Sequence, residues 1–240
     1  MKKRVKTLQS LVFLGGISGF YETAEIVKDI NDKNPTYRIE GILNDDTKLH
    51  GKIIGGVKVL GPLDMVSNFK DAQFIMGIGS YRTRIIRYEI IQRLNIPQER
   101  YVTLIHPSAR IYPSSRVGHG GIIHSGVVIF QETILENFVT ILPNGVIGTN
   151  NFIGEGALMA PLVTTTPHVR IGFYTHLGAS SSIAEFVKIG PGAQVGIGSV
   201  VFRNIQPGAI YIGNPPRIVN KVDVPGELLN RWEELNRAQG

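Results

Sequence analysis

Residues 147–160 read IGTNNFIGEGALMA, with aliphatic side chains at Ile147, Ile153 and Met159, six residues apart. A period of six matches neither the 3.6-residue turn of a helix nor the two-residue alternation of an ordinary strand. Followed outward, the series runs back through Ile141, Leu135, Ile129, Ile123, Val117, Ile111 and Ile105. It runs forward through Thr165, Ile171, Leu177, Ile183, Ile189, Val195 and Val201, and Thr165 alone is not apolar. Such a hexad forms one side of a triangular parallel β-helix, three hexads to a coil. Glycine often follows the aliphatic residue, at Gly118, Gly148, Gly154, Gly172, Gly178, Gly190 and Gly196, where a tight corner is expected. Small or β-branched residues recur four places after it, at Ala109, Ser115, Ala157, Thr175, Ser181, Ala193 and Ser199, and these fill a narrow interior.

The register makes quantitative claims. Residue i lies beneath residue i+18, about 4.8 Å along the axis, and five or so coils give a prism about 25 Å long. One side of such a prism is too narrow to enclose a large ligand. Sites are therefore expected on its outer faces or between prisms, in a closed cyclic oligomer.

Upstream the grammar differs. Leu11 to Leu14 is an apolar run ending in Gly15, Gly16, Ile17, Ser18 and Gly19, followed by Ala24, Val27 and Ile30 at helical spacing. This reads as strand, glycine turn and helix. Pro35 ends the helix, Tyr37 to Leu43 gives a second strand closed by Asn44, Asp45 and Asp46, and Phe74 to Gly79 gives a third. Ser80 is the expected N-cap of a further helix with Ile86, Ile90 and Leu94 on its inner face. Alternating strands and helices predict a small parallel sheet with helical cover. The glycine turn suits a phosphate, because glycine admits close backbone approach and a helix N-terminus favours negative charge. Phe20 and Tyr21 make that fingerprint incomplete, and a plain structural turn is the competing reading. Beyond the hexads, Pro225 and Gly226 precede Glu227 to Gln239, where Leu228, Leu229, Trp232 and Leu235 predict a packing or capping helix.

Composition narrows the chemistry. The chain has 240 residues, no Cys and 28 Gly, with 42% hydrophobic and 18% charged residues. Wholesale disorder, disulfides, thiolate nucleophiles and Cys-based zinc sites are excluded. No apolar run approaches the roughly 18 residues of a membrane span, and no signal-peptide cleavage site is evident, which reads as cytoplasmic. The net charge of +6 is dispersed except for Lys2, Lys3, Arg4 and Lys6. That pattern reads as a solvated tail rather than a nucleic-acid surface, and weak positive charge suits a phosphate-rich small ligand.

The hexads from Ile105, their opening His106-Pro107-Ser108-Ala109, the closing Gly213-Asn214-Pro215-Pro216-Arg217 and the preceding α/β segment together resemble one family. It comprises the bacterial nucleotide-sugar N-acetyltransferases and sialic acid O-acetyltransferases built on a left-handed β-helix. The resemblance spans residues 8 to 220 approximately. It implies a small Rossmann-like α/β domain over residues 1–103, a left-handed parallel β-helix over 104–220 and a C-terminal helix over 221–240. It implies acetyl transfer from acetyl-CoA to an amino or hydroxyl group of a nucleotide-linked sugar in glycan biosynthesis. It also implies a homotrimer with acetyl-CoA between adjacent prisms and a coil histidine as general base, a role imidazole fills by titrating near neutrality.

Carried onto this chain, Gly16, Ser18 and Gly19 would face phosphate, and Asn44 and Asp45 would lie near the nucleotide. Ser80 and Arg84 are further substrate candidates, and Asn214 and Arg217 would meet coenzyme A. The catalytic place departs from the pattern: the hexad that begins at Ile147 carries Gly148, Thr149 and Asn150 where the family has its histidine. One coil later Pro167 replaces a glycine whose N–H could face the thioester, and proline has none to give. The place before the first helix where the family favours histidine holds Phe20. The register puts His168 directly above Asn150, which makes His168 the expected base with Thr149 and Asn150 positioning the acceptor. His176, on the neighbouring side, is assigned toward the cofactor. The alternatives are a scaffold that binds a sugar nucleotide without catalysis and, remotely, a β-helical carbonic-anhydrase-like metal site. The remote reading rests on His119 and His124, for which a surface role is the simpler one. No resident metal is expected.

Overall fold

The computed structural model describes residues 8–238. The basic run at Lys2, Lys3, Arg4 and Lys6 and the helix end expected at Gln239 lie outside the described residues.

The first strand, β1 (Gln9–Leu14), is buried from Leu11 onward and runs parallel to β2 (Tyr37–Leu43) and β5 (Gln73–Met76). Between them, β3 (Ile53–Ile54) and β4 (Val57–Gly61) form a hairpin whose second strand pairs with β2, giving the order β3-β4-β2-β1-β5. Helix α1 (Ile17–Lys33) covers one face through Phe20, Ile26 and Val27. On the other face Leu14, Phe74 and Met76 pack with Ile90, Ile91 and Leu94 of α2 (Arg84–Leu94). That helix starts three residues later than its sequence suggests: Thr83, not Ser80, is its N-cap, and Ser80 stabilises the preceding turn by accepting from the Thr83 N–H at 3.2 Å. Ile86 consequently faces solvent, and Arg84, Arg87 and Tyr88 are the residues α2 buries.

From Leu104 the chain forms seventeen two-residue strands, β6 (Leu104–Ile105), β7 (Arg110–Ile111), β8 (Arg116–Val117) and onward every six residues to β22 (Val200–Val201). Among themselves they pair at a separation of eighteen residues, so the prism has three faces. The first contains β6, β9, β12, β15, β18 and β21, the second β7 through β22, and the third β8 through β20. From Ile123 onward the hexad aliphatics form one unbroken column, each 0–1% exposed. The hairpin β23 (Ala209–Gly213) and β24 (Pro216–Lys221) extends the first face. Helix α3 (Gly226–Arg237) then packs Leu228 and Trp232 against Phe152, Phe173 and Tyr174.

The single polar residue in the column has a physical reason. Thr165 is 2% exposed, and its Oγ1 accepts from Asn151 Nδ2 at 2.6 Å and from the Gly148 N–H at 3.2 Å. Asn151 in turn accepts from the Val169 N–H at 2.6 Å. Thr165→Val keeps the shape and strands one buried donor, the Asn151 amide, while the Gly148 N–H keeps its bond to the Thr165 carbonyl at 3.0 Å, a loss of about 1–3 kcal/mol. The urea midpoint should fall accordingly, with the slope of the transition unchanged.

The corners differ from expectation. Left-handed φ occurs not at the glycine after each aliphatic but two residues further on, at Gly120, Glu132, Phe138, Asn144, Asn150, Leu162, His168, Tyr174, Ser180 and Phe186 among others. The expected corner glycines serve stacking instead: a Cβ on Gly172 would lie 2.5 Å from the Pro191 nitrogen and 2.7 Å from the Gly190 carbonyl carbon. Of the small residues expected inside, Ala157, Thr175, Ser181, Ala193 and Ser199 are 0–1% exposed, whereas Ala109 and Ser115 in the first coil, where Ile105 is itself exposed, are only half-buried.

Candidate functional site

The α/β segment docks on the first face of the prism. The outward residues Leu104 and Ile122 of that face join Leu11 and Phe13 of β1 in one core. The docking leaves a cleft where the carboxyl ends of β1 and β5 diverge. Connections leave β1 and β5 toward opposite faces of the sheet, which makes this its switch point, where open α/β sheets bind ligands. The cleft is small, about 70 Å³, and is lined by Gly19, Glu22, Thr23, Gly77 to Gly79, Arg87, His124, Thr140, Leu142 and Leu158.

Close approach explains its glycines. The Gly15 N–H donates to Leu43 O and the Gly77 N–H to Leu14 O, both at 2.9 Å, which ties the three strand ends together. A Cβ on Gly77 would stand 1.9 Å from the Phe13 ring. Gly16 is the N-cap of α1, Gly19 faces the Gly77 carbonyl, and Ser18 is exposed beside them. Phe20 sits inside α1, 1% exposed and edge-on to Phe13 with centroids 5.3 Å apart, so it belongs to the core. Asn44 donates through Nδ2 to Gly15 O at 3.1 Å and binds β2 to the glycine turn. Asp45 accepts from the Leu63 N–H at 2.8 Å and from Arg93 at 2.9 Å. Burial pushes its carboxyl up, but those two donors more than offset this and hold it below its ordinary value.

Ser80 and Arg84 lie away from the glycine turn. Arg84 is buried, donating to the carbonyls of Gly192 at 2.9 Å and of Tyr81, and burial lowers its pKa. His176, on β18 (His176–Leu177), lies in the same junction with its ring centroid 6.1 Å from that of Tyr81. Burial first and Arg84 second push it down to about 4. Asn214 and Arg217 are exposed at the turn of the β23–β24 hairpin.

His168 is where the register places it. Its Nδ1 is 3.1 Å from Asn150 Nδ2, its backbone N–H donates to Thr149 O at 3.0 Å, and its ring stacks on Phe186 at 5.0 Å. These residues form the corner between the second and third faces, opposite the first face and its docked segment. The sequence-predicted residues therefore do not form one cluster within the chain: the glycine turn with Asn44 and Asp45, the junction of Ser80, Arg84 and His176, the hairpin turn with Asn214 and Arg217, and the far corner of His168, Thr149 and Asn150 are separate places.

Four cleft residues escaped the sequence reading: Glu22, Arg87, His124 and Thr140. His124 is 5% exposed rather than on the surface. A signal existed, since His106 and His124 are eighteen residues apart and must stack, and Glu22, Glu25 and Asp29 share one side of a helix. Arg87 is 1% exposed, its Nε and Nη2 without partners among the described residues and its Nη1 3.4 Å from Gly156 O. Burial lowers its pKa to about 10 despite nearby Tyr174 and Glu155. His119 is exposed, and among the described residues no group of three His, Asp or Glu side chains could hold a metal ion.

Burial pushes His124 down to about 4, with a smaller contribution from His106. Below the unfolded value near 6.5 the unfolded chain takes up protons that His124 and His176 refuse in the folded state. Stability therefore falls as pH drops from 6.5 toward 4, by roughly 2–3 kcal/mol for each histidine. Urea titrations at pH 7 and pH 4.5 should show it, and His124→Asn should remove about half of the difference.

No helix among the described residues is long and apolar enough to cross a membrane. No protein-family model and no curated protein matches the sequence. Solved structures do match. A mutant of perosamine N-acetyltransferase from Caulobacter crescentus, in complex with CoA and GDP-perosamine, superposes over 90% of this chain and 99% of its own, with a TM-score of 0.77 and 23% identity. The acetyltransferase domain of PglB from Neisseria gonorrhoeae, in complex with acetyl coenzyme A, covers 89% of this chain and 100% of its own at TM-score 0.74 and 21% identity. WeeI from Acinetobacter baumannii covers 88% of this chain and 100% of its own at TM-score 0.73 and 21% identity. This chain therefore shares its fold, over nearly its whole length, with these solved structures.

Proposed function

We propose that the protein transfers an acetyl group from acetyl-CoA to an amino or hydroxyl group of a nucleotide-linked sugar, in the biosynthesis of a surface polysaccharide or glycan. The observation that carries this reading is the correspondence, over nearly its whole length, with a structure that holds CoA and GDP-perosamine together, combined with a cleft that Glu22, Arg87 and His124 line at the switch point of this chain's own sheet. On this reading residues 1–103 are a Rossmann-like nucleotide-sugar domain, residues 104–220 a left-handed β-helix and residues 221–240 a capping helix. Acetyl-CoA and nucleotide sugars are cytoplasmic pools, so the cytoplasm is its place of work.

Gly16, Ser18 and Gly19 cradle the pyrophosphate, and Asn44 and Asp45 shape the nucleotide end, with Ser80 and Arg84 bordering the domain junction. His168 acts as base from the far corner, with Thr149 and Asn150 orienting the acceptor, while His176, Asn214 and Arg217 border the coenzyme. Because His168 lies opposite the cleft of its own chain, the two meet only when a second copy supplies one of them. A homotrimer does this, and it also covers Leu162, Phe186, Ile197, Val200 and Phe202, which are 40–79% exposed in the single chain. Release of free CoA thiol from acetyl-CoA on addition of GDP-, UDP- or dTDP-linked sugars tests the activity, and sedimentation equilibrium tests the trimer.

One observation favours a second reading. Thr149 and Pro167 stand where histidine and a donating N–H would serve catalysis, so the chain can act as a scaffold that binds a sugar nucleotide without turnover. Binding of a nucleotide sugar with no thiol released, across acetyl- and longer acyl-CoAs, would decide for it.

A further inference from the structure

This inference goes beyond the reading proposed above and concerns the start of α2. Arg84 is 5% exposed, and its guanidinium is held by neutral partners alone: Nε donates to Gly192 O at 2.9 Å and Nη1 to Tyr81 O, while Nη2 is buried with no partner among the described residues. No carboxylate pairs with it among the described residues. Carbonyls occupy N–H groups without cancelling the charge, and a buried charge that lacks a counter-ion is costly. An anion beside Arg84 would recover part of that cost.

The helix end adds to the same field. Thr83 is the N-cap, but its hydroxyl pairs with that of Ser80 at 2.9 Å instead of capping the helix, and no acidic residue stands in the first turn. Such an N-terminus presents free N–H groups and the positive end of the helix dipole. The segment leading into α2 borders a groove of about 590 Å³, lined by Tyr81, Arg82, Arg84, Gln194 and Asn220 among others, with no carboxylate in its wall. On the first face beside it, Gln194 stacks on His176 and Ile210 on Gln194. The volume suits a small molecule, and the groove is separate from the glycine turn, none of whose residues lines it.

We propose that this groove is an anion site in which Arg84, Arg82 and the uncapped start of α2 hold a phosphoryl group, either free phosphate or the phosphate of a small molecule. A tetrahedral dianion can accept from two guanidinium groups and a helix end at once, which a carboxylate with its two oxygens does less well. The site carries its own reporter. His176 lies beside it with Nδ1 buried and unpartnered among the described residues and its ring centroid 6.1 Å from that of Tyr81. Burial first and the Arg84 charge second keep that ring neutral, so an anion that offsets Arg84 changes the field at His176 and leaves His168, at the far corner, untouched.

Isothermal titration of the full chain with inorganic phosphate, at an ionic strength held constant with chloride, tests this and should give saturable binding. Arg84→Met should weaken it about tenfold or more, and Arg82→Ala about threefold. In ¹⁵N-histidine spectra of the wild-type protein the His176 ring should shift with the same midpoint while the His168 ring stays in place. That readout needs no variant, and Arg82, which is exposed, carries the mutational test if Arg84→Met does not fold. Absence of saturable binding, a His176 signal that does not move, or affinity within about twofold of wild type in every folded variant would overturn the site. Competition identifies the source of the phosphoryl group, and each result supports the site: displacement of phosphate by CoA but not by dephospho-CoA assigns it to a phosphate monoester of the coenzyme, displacement by GDP to a nucleotide diphosphate, and displacement by neither to free phosphate. Thiol release from acetyl-CoA without phosphate binding would remove this site and leave the proposed transfer standing; phosphate binding without thiol release would do the reverse.

Discussion

His168→Ala should lower the rate of acetyl transfer by about 10²–10⁴ while leaving the affinity for the nucleotide sugar within about twofold. The split follows from placement. The imidazole occupies the corner between the second and third faces, whereas the cleft lies on the first, so within one chain its removal touches nothing that holds the nucleotide. The tautomer makes the test sharper. A neutral imidazole that accepts from the Asn150 amide at Nδ1 carries its proton on Nε2 and has no lone pair left for a substrate proton. Base catalysis therefore requires the Asn150 amide oxygen, not the nitrogen, to meet Nδ1, an exchange of two atoms that leaves the 3.1 Å separation in place. Asn150→Asp enforces that orientation and should sustain or raise the rate; Asn150→Leu should lower it about tenfold or more. Thr149→His, added to His168→Ala, should recover part of the lost activity, because the resemblance puts the family's base at residue 149. Unchanged turnover in His168→Ala would remove His168 from the mechanism.

The prism was legible because its period is the structure: residues eighteen apart are hydrogen-bonded neighbours, and the stack of His168 on Asn150 followed from arithmetic alone. Three strands and two helices of the α/β segment were legible from apolar runs and the glycine turn, but the β3–β4 hairpin, whose strands are short, and the start of α2 were not. Ser80 carries the side chain of a good cap, yet it closes a turn with Thr83, and the buried contacts of Arg84 and Arg87 with the coil set where the helix begins. The same cause hid the cleft. Glu22 on α1 and His124 on the coil are about a hundred residues apart, and neither local pattern shows that the α/β segment docks on the first face. Only the outward residues of that face, apolar at Leu104, Ile122 and Leu158 where solvent-facing strand positions would be polar, recorded the docking in the sequence. The corner glycines show the opposite error. A rule that is true in general, that glycine permits left-handed turns, was applied two residues too early, because in this fold Asn, Ser and even Phe, Tyr and Leu occupy the left-handed position.

That reassignment has a large consequence. Gly172→Ala should cost several kcal/mol and leave little folded protein, although alanine is the smallest possible side chain and φ at Gly172 is not left-handed. The added methyl would stand 2.5–2.9 Å from the backbone of Ile189, Gly190 and Pro191 in the next coil. Backbone that is hydrogen-bonded on both sides, here through the Gly172 N–H to Ile189 O at 2.7 Å, cannot retreat without breaking the ladder, so the clash becomes overpacking across a whole coil. Gly198 supplies the contrast. Its φ is +66° and a Cβ there meets nothing within 4 Å, so Gly198→Asn, a residue that tolerates the left-handed region, should cost less than about 1 kcal/mol. Thermal unfolding of the two variants separates the explanations. If glycine were there to turn corners, Gly198→Asn would be the damaging change and Gly172→Ala the mild one; if it is there to let coils stack, the order reverses, and the melting temperature of Gly172→Ala should lie well below that of Gly198→Asn.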